Sequence, residues 1–326
     1  MGGVCEQQMQ GLKVEWATDS ALLVESTANV TFENLILANN TATSGGALVV
    51  RSGGTASIRN SLVTLGNATG ATGGGGIAVS SAKLRFGQGV EVSRCFANGS
   101  PATGGGVACD ACDIAPISGE ERTATMLLTR NTASHGGNLV VRGTSSLAGL
   151  TVTHGTADVG GGLAVDANAD VTMSAVYVAS NAATLDTNIG GTGVGGGMHV
   201  ATNARVRSAA SAATGLTLTD NEAVFGGGLA VATGALVSGS IRSVDNRACS
   251  QGGGAHMEGG GALSDLLIDA NCAGCCLPAA PDAAIGGGGV SASGGAATLT
   301  NVTVTANVAH DGASTSSPQA MHRPCG

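Results

Sequence analysis

Two aspartates in this chain each stand immediately before an asparagine, Asp220 in "TDNEAV" and Asp245 in "VDNRAC", and Asp269 lies close to the same place in "IDANCA". Carboxylates held about 5 Å apart can divide the acid and nucleophile roles of glycoside hydrolysis, and they also make half of a calcium site. With Arg242 as a nearby cation, Asp220 and Asp245 are the candidates for catalysis on a polysaccharide. Asp220, Asp245 and Asp269 are the candidates for calcium. The sequence places no second carboxylate cluster and no aromatic sugar platform nearby, so the leading expectation is a solvated corner, with no cofactor required.

Other reactive residue types point to chemistry less clearly. "CDAC" at 109–112 and "CAGCC" at 272–276 have the spacing of a four-thiolate zinc site. The repeat described below puts them about 25 Å apart at the usual strand spacing, whereas zinc–sulfur bonds are about 2.3 Å, so one ion cannot span them. Cys109 falls on a buried column and reads as core. Cys249 and Cys272 fall at equivalent corners of adjacent coils and are candidates for a disulfide; Cys95 with Cys112, or Cys272 with Cys275 or Cys276, are weaker pairings. "DANAD" (Asp166, Asn168, Asp170) imitates the start of a calcium loop, but Val171 and Tyr177 stand where such a loop needs glycine and glutamate. His199 and His256 share an outward column two coils apart, roughly 10 Å, and are expected to be solvated. Sequons at Asn29, Asn39, Asn67, Asn98 and Asn301 permit glycosylation on a secretory route.

The elements that position these residues are set by a repeat. Glycine pairs or triplets begin at 45, 74, 104, 136, 160, 195, 226, 252 and 287, a period of 24 to 35 residues. A phosphate-cradling role is excluded because each run leads into a strand and carries no adjacent lysine. Asn40, Asn67, Asn98, Asn131, Asn181, Asn221, Asn246 and Asn271 precede them, with His154 in the corresponding place before Gly160, and Asn307 opens a decayed tenth block. These asparagines are read as a structural ladder at one corner, since the carboxamide bonds to nearby main chain and tolerates left-handed backbone.

After each glycine run comes a period-two alternation, the mark of a strand with one buried face. Its inward columns read Leu48, Ile77, Val107, Leu139, Leu163, Met198, Leu229, Ala255, Val290 and Val50, Val79, Cys109, Val141, Val165, Val200, Val231, Met257, Ala292. Between them, facing outward, stand Val49, Ala78, Ala108, Val140, Ala164, His199, Ala230, His256 and Ser291. A second apolar stretch follows, with Leu62 assigned inward and Val63 outward. Its outward column, from Ile36 through Tyr177 and Arg242 to Thr303, is too irregular for an ice-binding threonine ladder.

Such strands bury a face only by stacking on their equivalents. The expected fold is all-β: a right-handed parallel β-helix of about nine to ten coils with repeats of about 30 residues. Residues 1–326 read as a single β-helix repeat domain with an irregular tail at 311–326, and "GGVC" at 2–5 reads as mid-repeat, which suggests a segment of a longer array. Composition agrees: 55 glycines, six aromatic residues among 326 and 11% charged residues suit a narrow core of small side chains. The net charge of −8 without a basic stripe excludes a nucleic-acid partner. The absence of 18 consecutive apolar residues argues against membrane insertion of this segment.

"FENLILANNTATSGGALVV" (32–50) and, more loosely, "NTASHGGNLVV" (131–141) resemble the GGA[ILV]/FxxN repeats of polymorphic outer-membrane proteins. Here the phenylalanine spacing is FxN rather than FxxN, its clear instance is Phe32, and most other blocks have Ile, Leu or Met in that place. The resemblance implies a pectin-lyase-like β-helix outside the cell or on its surface, acting in display or adhesion toward a cell-surface protein or glycan. Pectinolytic enzymes share that fold, so a polysaccharide lyase or hydrolase is the alternative, although the GHG-type motif is reduced to "THG" at 153–155. Loops 110–125, 183–194 and 273–285 break the period and are the expected carriers of specificity.

Overall fold

In the computed structural model, which describes residues 6–71, 73–99, 102–184, 193–209, 214–274 and 286–310, all regular structure is β and every strand pair is parallel. The fold is a parallel β-helix. Its strands form an eighteen-stranded sheet, a ten-stranded sheet, and a third face made of a six-stranded and a three-stranded sheet.

The ten-stranded sheet contains the post-glycine strands in the register the alternation implies. Leu163, Met198, Leu229 and Ala255 stack in one column, and Val165, Val200, Val231 and Met257 in the next. These side chains are at most 1% exposed. They meet the inward columns of the eighteen-stranded sheet, such as Val178, Leu218 and Ile268, in one continuous core. The core is filled mainly by Val, Leu, Ile, Ala and Met, with Phe32 and Phe86 the only buried phenylalanines among the described residues.

One stretch is out of register with the sequence reading. Ser61 aligns with Val90, and Val63 with Val92, so Val63 points inward and Leu62 outward. The buried Ser61 hydroxyl accepts a hydrogen bond from the Leu35 N–H at 3.0 Å. The repeat therefore has to be aligned on backbone shape at the corner rather than on the asparagine.

That shape is constant. The residue entering the corner is left-handed in Asn39, Leu65, Arg94, Arg130, His154, Ser180, Asp220, Asp245, Ala270 and Ala306, with φ between 51° and 57°. The glycine turn is the other sharp bend. At Gly226 φ is 66°, and an added Cβ would collide with the Leu229 carbonyl oxygen. Residues 1–5 and the tail 311–326 lie outside the described residues.

Candidate functional site

The two bends of each coil bring different groups together. At the asparagine corner the carboxamides bond to one another along the rod. Nδ2 of Asn181 donates to Oδ1 of Asn221 at 3.0 Å, Asn221 to Asn246 at 2.9 Å, Asn246 to Asn271 at 3.0 Å, and Asn271 to Asn307 at 2.9 Å. Each of these oxygens also accepts the backbone N–H of the preceding asparagine. Asn40, a rung next to Gly66, instead bonds the main chain of Ala17 and Val14. Asn67 and Asn98 are not rungs: Asn67 pairs with Thr41 and Phe96, so Gly66 and Cys95 occupy the corner, while the Asn98 amide donates to Asn67 on the outside.

Gly155, rather than His154, also occupies a rung. Here Asn138, at the third position of its glycine run, supplies the missing amide: it accepts from Asn131 at 2.8 Å and donates to Asn181 at 3.0 Å. Where the next rung is an asparagine that third position is glycine, because the carboxamide needs the space, as at Gly228 beside Asn246; before the Gly66 rung it is Ala47. Where the rung is Gly155 the space is free, and a Cβ on Gly155 would lie against Asn138. The two residue types have changed places.

The aspartates do not form a common column. Asp220 and Asp245 occupy the left-handed position, which elsewhere takes Arg130, His154, Ser180 or Ala270, so its requirement is a backbone conformation. Asp269 aligns with Val244, one residue earlier, and accepts from the Thr305 hydroxyl at 2.7 Å. Arg242 stacks between Thr217 and Leu267 on the outer face of the eighteen-stranded sheet. Partial burial, then the charges of Asp220 and Asp269, push the Asp245 carboxyl above its usual pKa. Among the described residues no group of three or more His, Cys, Asp or Glu side chains could hold a metal. In "DANAD", Asp166 and Asp170 are bonded to Arg142 and Arg207.

Cys109 is bonded to Cys112 across the "CDAC" turn, Cα to Cα 5.5 Å. This overturns a Cys95–Cys112 pairing and gives Cys109 a role beyond core packing. Cys95 is a buried free thiol whose pKa burial pushes up to about 12. Cys249 and Cys272 are both in disulfides; Cys275 and Cys276 lie outside the described residues, as do 185–192 and 275–285 of the period-breaking loops.

The glycine bend makes a concave site that the sequence reading missed. The turn at Gly160 folds so close over the outer face that an added Cβ would lie 3.0 Å from the Ala164 methyl. Most of the outward column is therefore covered rather than solvated: Val140 is 0% and His256 4% exposed, while His199 is partly buried. A cavity of about 770 Å³ runs along this column. Its floor includes His199, Ala230 and His256, stacked in register. One wall is the pre-glycine column of His135, Val159, Val194 and Phe225, linked by successive parallel bridges. The opposite rim carries Arg142, Asp166 and Glu258.

His199 and His256 are thus groove residues. The surrounding protein, then the nearby His135, lowers the His199 pKa to about 4. Burial lowers that of His256 and outweighs the opposing charge of Glu258. The His256 ring is 5.4 Å from Phe225, its Nδ1 is 2.7 Å from the Ser291 hydroxyl, and its Nε2 is 3.9 Å from Glu258. The sequence signal for this groove was the column immediately before the glycines, where His135 and Phe225 stand among valines. No protein-family model, curated protein or solved structure matches the chain.

Proposed function

We propose that the chain is a non-enzymatic β-helix segment for display or adhesion, extracellular or on a cell surface, with the concave groove as its ligand-binding surface. The observation that carries this reading is the groove itself. A long covered channel with imidazoles on its floor, an aromatic ring in its wall and charges on one rim is more than a stacked core requires. The resemblance to polymorphic outer-membrane protein repeats supports the same reading. Ala230, between the two floor imidazoles, is the place to test it. Ala230→Trp fills the channel on the face away from the core, and binding to peptide and glycan arrays should be lost while circular dichroism is kept. Array binding that survives the filled channel would place recognition elsewhere.

The alternative is a polysaccharide lyase or hydrolase acting at Asp220, Asp245 and Arg242. The raised Asp245 pKa beside two further carboxylates is the observation in its favour. Cleavage of pectate or alginate, with or without calcium, that disappears in Asp245→Ala would establish it over the adhesive reading.

A further inference from the structure

Resting on the reading of the groove as a ligand surface, we propose that its ligand is a basic segment of a protein partner, with a lysine or arginine side chain held between the Glu258 carboxylate and the Phe225 ring. The two ends of the groove are charged unequally. At one end Arg142 Nε donates to Asp166 at 2.7 Å, so the two charges offset each other. At the other, the only ion-pair partner of Glu258 among the described residues is His256, with Nε2 at 3.9 Å, and that imidazole is held toward its neutral form. With His135 and His199 as the other titratable groups facing the channel, the lining carries a formal charge of −1 when all three imidazoles are neutral (Arg142 +1, Asp166 −1, Glu258 −1).

A cation fits that end on two counts. It would pair with an exposed carboxylate, and it is attracted to the face of an aromatic ring such as Phe225. The net charge of −8 draws cations toward the molecule from a distance, and it disfavours the anionic polysaccharides that a rod of this shape could otherwise accommodate. The rest of the channel suits an extended polypeptide. From the strand of His135's coil to that of Glu258 is four strand spacings, about 19 Å. That length takes about six extended residues at roughly 3.3 Å each. Val159, Val194, Ala201 and Ala230 offer apolar contact along it, and the imidazole nitrogens offer hydrogen bonds.

The test uses the full chain and a terminally blocked hexapeptide with one central lysine, followed by fluorescence anisotropy at pH 7.5 and low salt. The same peptide with norleucine or glutamate at the centre, and a neutral glucan tetrasaccharide, are the comparison probes. The lysine peptide should bind at least about tenfold tighter than the norleucine peptide, and Glu258→Gln should remove about that factor. Asp265→Asn, which changes a carboxylate away from the groove, should leave binding unchanged. Equal binding of lysine and norleucine peptides, both abolished by Ala230→Trp, would overturn the basic-segment proposal and leave the groove reading standing. Tetrasaccharide binding without peptide binding would do the same in favour of a glycan. Absence of all binding at millimolar probe would overturn the basic-segment proposal, and array binding insensitive to Ala230→Trp would separately remove the groove reading on which it rests.

Discussion

The two bends of each coil solve the same problem with opposite consequences. At the asparagine corner the carboxamides are used internally: Asn221, Asn246 and Asn271 are each 0% exposed and bonded forward and back along the rod. At the glycine bend the backbone folds over the outer face of the ten-stranded sheet and leaves His199, His256 and Glu258 facing a cavity. The first bend consumes its hydrogen-bonding capacity, and the second keeps some for something else. Under the proposed reading, the coil places stability on one edge and recognition on another.

Cutting the ladder should have the largest effect. Asn246→Ala removes the acceptor for both the N–H and the Nδ2 of Asn221. Leaving two buried donors unsatisfied is expected to cost about 2–4 kcal/mol, read as a lower midpoint in denaturant unfolding. Glu258→Gln, at the rim of the other bend, should change stability by no more than about 0.5 kcal/mol. A ladder cut as mild as the rim change would mean the carboxamides are satisfied by water.

Acid should weaken the groove bend specifically. The folded pKa of His199 is about 4, whereas the unfolded imidazole titrates near its ordinary 6.5. Between those values the unfolded chain holds a proton that the folded one lacks, so stability falls as pH drops from about 6.5 to 4 and is unaffected by this group above that window. The full shift corresponds to about 3 kcal/mol. His256 contributes in the same direction, while Asp245, whose folded pKa is raised, acts in the opposite one. His199→Gln should flatten the acid limb of a stability–pH curve, and an unchanged limb would show that the ring is better solvated than its surroundings imply.

The strand columns were legible in the sequence because period-two alternation repeated at a fixed interval leaves one consistent inside. Residue type is a poorer guide to position than backbone shape: Asn67 and Asn98 share Asn40's side chain, but Leu65 and Arg94 hold the left-handed conformation that marks the corner, which puts Gly66 and Cys95 on the rungs. The role of Asn138 was not legible, since it depends on two bends meeting across adjacent coils. Nor was the groove: alternation tells which side chains leave the core but not whether a turn folds back over them.

The exchange between Asn138 and Gly155 sharpens the account of the ladder. Gly155→Asn alone would drive a side chain into the Asn138 carboxamide, an overpacking expected to cost about 1–3 kcal/mol. Asn138→Gly alone would strand the Asn131 amide that now donates to it. The double variant restores the arrangement seen at Gly228 and Asn246, so the two costs should largely cancel, with a coupling energy of about 1–3 kcal/mol in a double-mutant cycle. Additive costs would mean that the positions are not interchangeable and that the break in the ladder at 131–155 is required by something other than space.

The smallest effects belong to the left-handed position, where they bear on the aspartates. Ala270 has φ 54° with no polar side chain to favour it, so Ala270→Gly should stabilise by about 1 kcal/mol. Asp245 tolerates the same conformation better, and its strain is electrostatic: partial burial and the charges of Asp220 and Asp269 oppose its ionisation. Asp245→Asn therefore should stabilise slightly at pH 7, by about 0.5 kcal/mol on the scale of surface charge interactions, and the gain should shrink as pH falls toward the raised pKa. A destabilising Asp245→Asn would instead mean that the carboxylate has a counter-charge to hold, and calcium titration of the wild type would then show a rise in thermal midpoint that the variant lacks.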